Sequence, residues 1–88
     1  MLTDSGPMSA IEQLLKVARA YGAAEGVPLS TVSSRALNDG KRLNALEEGA
    51  DITVGRMESA LRWFSEKWPA TAEWPEDVPR PVAAEARA

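Results

Sequence analysis

Gly26-Val27-Pro28 ends one helix and begins another within three residues, and that punctuation commits the chain to short helices packed across a tight turn. Glycine reaches the left-handed conformation that terminates helices, and proline suits the first turn of the next, where its missing N–H is no loss. Before the turn, Ile11, Leu14, Leu15, Ala18 and Tyr21 recur at helical spacing behind a Ser9-x-x-Glu12 capping box, with Lys16 and Arg19 turned away. A first helix is therefore expected from about Ala10 to about Glu25. Gly22 lies inside it and weakens it by about 1 kcal/mol relative to alanine, which points to a close approach by another helix. After the turn, Leu29, Val32 and Ala36 share one side of a helix running from about Leu29 to Leu37. Ser30, Thr31 and Ser34 then face outward, with Arg35 on the flank.

Asn38-Asp39-Gly40 breaks that helix, and a third, from about Lys41 to Glu48, turns Leu43 and Leu46 inward before stopping at Gly49. Thr53 is a good N-cap for a fourth helix, and Ile52 before it can staple onto Met57. Val54, Met57, Leu61, Phe64 and Trp68 follow at spacings of three, four, three and four, a continuous apolar stripe. Trp63 lies off that stripe beside Ala60 and suggests a second contact. The reading is an all-α fold, a small bundle of about four helices containing a helix-turn-helix, with a Pro/Trp-rich C-terminal tail. Residues 1–8 form a flexible leader, 9–68 the helix-turn-helix domain and 69–88 an extended, acidic, Pro-rich tail, from which Trp74-Pro75 folds back on the body.

With 88 residues there is room for one small domain and little room for a deep catalytic cleft. Cysteine and histidine are both absent, so neither disulfides nor a Cys/His metal site can form, and no cofactor is expected. Ser30, Ser33 and Ser34 have no histidine to act as base and no nucleophile elbow around them. Glu47 and Glu48 are neighbours on a helix and diverge by about 100°, which does not make a carboxylate pair. No phosphate loop or dinucleotide fingerprint is present, and an enzyme is not expected. No run approaches the roughly 20 apolar residues of a membrane span, so a cytoplasmic protein is expected. The net charge is −3, yet residues 28–46 carry Arg35, Lys41 and Arg42 against Asp39 alone, while the acidic residues Glu73, Glu76, Asp77 and Glu85 gather in the tail.

A helix-turn-helix needs a small residue where its second helix crosses the first, a glycine in the turn, and apolar anchors beyond it. Gly22, Gly26, Val27 and Val32 meet those needs in order. The run Gly26-Val27-Pro28-Leu29-Ser30-Thr31-Val32-Ser33, followed by Leu37-Asn38, resembles the DNA-binding headpiece of lac-repressor-type transcription regulators. The resemblance covers residues 18–40, and the compact layout is similar to small phage-type repressors. Pro28 replaces the family's usual serine, and one additional residue between Ser33 and Arg35 turns Arg35 by about 100°.

The resemblance implies a small transcriptional regulator, a repressor of phage or mobile-element type, that reads double-stranded DNA with the helix at 29–37. The candidate DNA-binding residues are Ser30, Thr31, Ser33, Ser34, Arg35, Lys41 and Arg42, with Arg35 as strong reader or phosphate clamp and Lys41 and Arg42 reaching flanking phosphates. So few cations give modest affinity, and a homodimer is expected, held through Trp63, Phe64, Trp68 and Trp74. The alternative is a protein-interaction module, an anti-activator or antirepressor, that keeps the scaffold and binds a protein partner through its acidic surface; the sequence pI of about 4.9 favours it.

Overall fold

The computed structural model describes residues 9–80 and contains four helices, with no strand among the described residues. Helix α1 spans Ala10–Glu25, α2 Leu29–Leu37, α3 Arg42–Glu47 and α4 Val54–Lys67. The expected leader at 1–8 and the end of the expected tail, 81–88, lie outside the described residues. None of the described helices is long and apolar enough to cross a membrane.

Local chemistry sets the helix ends. The Ser9 hydroxyl accepts from the Glu12 N–H at 3.1 Å while the Glu12 carboxylate accepts from the Ser9 N–H at 3.1 Å, closing the capping box. Thr53 caps α4 by accepting from the Arg56 N–H at 3.2 Å, and such caps contribute about 1 kcal/mol each. Gly26, at φ 71°, ends α1 in the left-handed region, and the following Val27 N–H donates to Gly22 O at 3.0 Å. Helix α3 is shorter than the spacing suggests, because Lys41 and Glu48 stand outside it as caps.

Helix α1 is the hub, packing against each of the other three, and α2 packs against both α3 and α4. Leu14, Val17, Ala18, Val32, Leu43, Ala60 and Phe64 are fully enclosed at the centre. Gly22 marks the α1–α2 crossing: a Cβ there would stand 3.0 Å from Val27 O and 3.2 Å from Val32 Cγ2. Along the other side of α1, the Tyr21 ring meets Trp63 and Phe64 edge-on, both at 5.5 Å between centroids.

Two expectations for the C-terminal third require correction. Val54 does not join the apolar stripe; as the first residue of α4 it points outward and is 66% exposed. Nor does the packed unit end at Trp68. Val78 is buried in the core, and residues 69–80 reach it through two turns, closed by Ala72 N–H to Pro69 O and Val78 N–H to Pro75 O, both at 3.2 Å. Each indole ties its own turn, Trp68 Nε1 donating to Ala72 O at 3.0 Å and Trp74 Nε1 to Val78 O at 2.7 Å. The two indole rings lie 4.9 Å apart, and the Arg80 guanidinium sits 5.1 Å over Trp74 while donating to Ser65 O at 2.7 Å. Trp74-Pro75 folds back on the body as expected, but the residues around it, expected to extend away, join it in a strap across α1 and α4, fixed also by Lys16 Nζ to Asp77 Oδ2 at 2.6 Å.

Candidate nucleic-acid interface

Helix α2 begins without a side-chain cap. Pro28 is its N-cap rather than its first helical residue, and Pro28 O accepts from the Thr31 and Val32 N–H groups at 3.0 and 3.1 Å. Val32 and Leu37 anchor the inner side, with Leu29 and Ala36 packed partly against the core. The opposite side exposes Ser30 and Ser34, with Thr31 half-buried between them. None of these three hydroxyls has a hydrogen-bond partner among the described residues. No acidic residue lies on α2. Hydroxyls left unpaired on an acid-free face can donate or accept with base edges and with phosphate oxygens.

Ser33 is the exception among the candidates, because its side chain is fully buried. Its hydroxyl donates to Asp39 O and accepts from the Leu43 N–H at 3.0 Å. Lys41, the N-cap of α3, supplies no side-chain acceptor, so Ser33 caps α3 from a neighbouring helix. It is a structural residue and leaves the DNA-contact set. The inner side of α2 is wider than Leu29, Val32 and Ala36 alone define; Ser33 and Leu37, four residues apart, complete it.

Arg35 leans back on α1. Its Nη1 donates to the Tyr21 hydroxyl at 3.1 Å and stands 3.6 Å from Glu25 Oε1. The Tyr21 hydrogen bond, aided by the nearby Glu25 charge, raises the guanidinium above its ordinary value, so Arg35 stays charged. Arg42 is half-buried with Nε 3.6 Å from Asp39 Oδ2, and that enclosed Nε makes no hydrogen bond. Lys41 is exposed, and its ammonium has no partner among the described residues. Of the seven candidates, Ser30, Thr31 and Ser34 form one face, Arg35 borders it in a tethered pose, and Lys41 and Arg42 lie beyond the turn at 39–40.

The aromatic residues expected at a dimer contact are occupied within the chain. Phe64 is fully buried, Trp63 packs edge-on against Tyr21 and against Phe64 at 5.4 Å, and Trp68 and Trp74 hold the strap. Sequence reasoning missed Arg56, which borders α2 from the first turn of α4 and donates from Nη2 to Leu37 O at 3.2 Å. Its position three residues after the Thr53 cap put it in the first turn of α4, but no local signal placed that turn beside α2. Neither a protein-family model, nor a curated protein, nor a solved structure matches this chain.

Proposed function

We propose that this chain binds double-stranded DNA through the outward face of α2 and acts as a small transcriptional regulator. The observation that carries this reading is the set of unpaired hydroxyls of Ser30, Thr31 and Ser34 on an acid-free helix. That helix follows a left-handed glycine turn and is seated on its neighbour at Gly22. The likeness of residues 18–40 to lac-repressor-type headpieces supports the same reading. Two copies on one duplex supply the affinity that one copy lacks, with their α2 helices about 34 Å apart, one DNA turn.

Two ion pairs favour a second reading, a protein-interaction module. Glu25 beside Arg35 and Asp39 beside Arg42 take positive potential away from the α2–α3 side. Titration of the folded protein with duplex DNA, including the DNA upstream of its own gene, at low salt separates the two. Binding that falls steeply with salt and weakens when Ser30, Thr31 and Ser34 are changed to alanine supports the regulator. A folded protein that binds no duplex at low salt refutes it and leaves the interaction module.

A further inference from the structure

A cleft of about 320 Å³ lies between the C-terminal half of α2 and the first turns of α4. Its wall carries two guanidiniums, Arg35 and Arg56, with Asn38 and Ser59, and no carboxylate. Each arginine is fixed by a neutral anchor that leaves donors free. Arg35 commits Nη1 to the Tyr21 hydroxyl and faces Glu25 through the same nitrogen, so Nη2 and Nε are uncommitted. Arg56 commits Nη2 to Leu37 O and has no carboxylate within ion-pair distance among the described residues, so Nη1 and Nε are uncommitted. The Asn38 carboxamide and the Ser59 hydroxyl have no partners among the described residues. Beside them Gly55 leaves space, since a Cβ there would meet nothing within 4 Å beyond its chain neighbours and its own helix backbone.

Planar guanidiniums held in place beside neutral donors in an acid-free recess suit a tetrahedral oxyanion, which takes paired Nε and Nη2 bonds from Arg35 and a single Nη1 bond from Arg56. The cleft also continues the candidate interface. Thr31 and Arg35 stand at i and i+4 on α2, and Asn38 caps its C-terminus in the left-handed region, so the recess lies at the end of the hydroxyl face. We propose that this cleft seats a backbone phosphodiester of the bound duplex, held by Arg35 and Arg56 and contacted by Asn38 and Ser59. The seat rests on the DNA-binding reading above and adds to it a phosphate clamp that positions α2 in the groove. Phosphate contacts of this kind fix register and supply affinity without reading sequence.

The test uses the whole chain, a generic 20-base-pair duplex (length chosen at roughly two turns) and salt-dependent fluorescence anisotropy. Arg56→Ala removes one clamp, and Ser59→Glu puts a carboxylate into the recess while leaving the Arg56 bond to Leu37 O in place. Circular dichroism confirms that each variant is folded. The expected result is duplex affinity down about tenfold for each, with the slope of log K against log salt smaller by about one in Arg56→Ala. If the parent binds and both variants match it in affinity and slope, the seat is refuted while the DNA reading stands. If the parent binds no duplex, the DNA reading and the phosphodiester seat fall together. A parallel titration with inorganic phosphate, read by the Gly55 and Asn38 amide resonances, separates the sources. Amide shifts that Arg56→Ala abolishes, alongside unchanged duplex binding by that variant, assign the cleft to free phosphate and overturn the phosphodiester seat.

Discussion

Replacing Ser33 by alanine isolates the structural half of α2 from its candidate reading half. The change removes an acceptor for the buried Leu43 N–H and a donor to Asp39 O, and puts no bulk in their place. An unsatisfied buried amide costs about 1–3 kcal/mol. The Asp39 carbonyl loses less, because it also accepts from the Arg42 N–H at 3.2 Å. The sum is about 2 kcal/mol, which for a domain of this size lowers the melting temperature by about 10 °C. Ser34→Ala, one residue along, removes an exposed hydroxyl without a partner and changes stability by less than about 0.5 kcal/mol. Urea unfolding followed by tryptophan fluorescence measures both, with the slope m expected to hold so that the midpoint carries the difference. Duplex titration of the same two proteins should show the opposite order, with Ser34→Ala weakened and folded Ser33→Ala unchanged. A Ser33→Ala protein that melts within about 2 °C of the parent refutes the shared-cap argument. So does one that keeps its melting point but loses DNA.

Gly22→Ala should destabilise by about 1–2 kcal/mol, since overpacking against a turn carbonyl and a buried valine outweighs the gain of about 1 kcal/mol in helix propensity; thermal melting decides the sign. Trp74→Ala should cost about 2–3 kcal/mol, less than a fully buried tryptophan, and should speed hydrogen exchange at the Val78 amide. Acid should loosen the strap. The hydrogen bond from Lys16 holds the Asp77 carboxyl below its ordinary value. Its contribution is therefore complete above the unfolded carboxylate range near about pH 4 and is lost as pH falls through the lower folded value. Asp77→Asn should remove that part of the acid response, seen as a smaller difference in melting temperature from the parent at low pH than at neutral pH.

Elements whose ends are set by local chemistry are legible in the sequence. The Ser9–Glu12 box, the Gly26 stop and the Thr53 cap are short-range signals, and α1 and α2 run as their spacing implies. The close approach at Gly22 was readable for a related reason, since a glycine inside a strong apolar period needs a neighbour to explain it. What escaped depends on tertiary partners. Whether Ser33 or Ser34 turns inward is a matter of one residue on a short helix, and the decision rests with the Leu43 amide on another element. The strap carries no periodicity, so nothing local announces that Val78 completes the core or that Trp68 and Trp74 bond their own turns. Arg56 was hidden likewise, because its place beside α2 follows from how α4 docks.

The contact of Gly22 with Val32 has a further consequence for how such a chain can diversify. With the Val27 carbonyl and the Val32 side chain pressed against α1 at Gly22, and Ser33 and Leu37 buried beside them, the rotational phase of the helix is held from its inner side and by the Arg35 bond to Tyr21. The side chains at 30, 31 and 34 make no hydrogen bond among the described residues, although Thr31 is half-buried and Ser34 lies close against the turn at Gly40. Chains sharing this scaffold could exchange small residues at those three positions through single steps that each leave the protein folded, with the turn at Gly40 limiting the size at position 34.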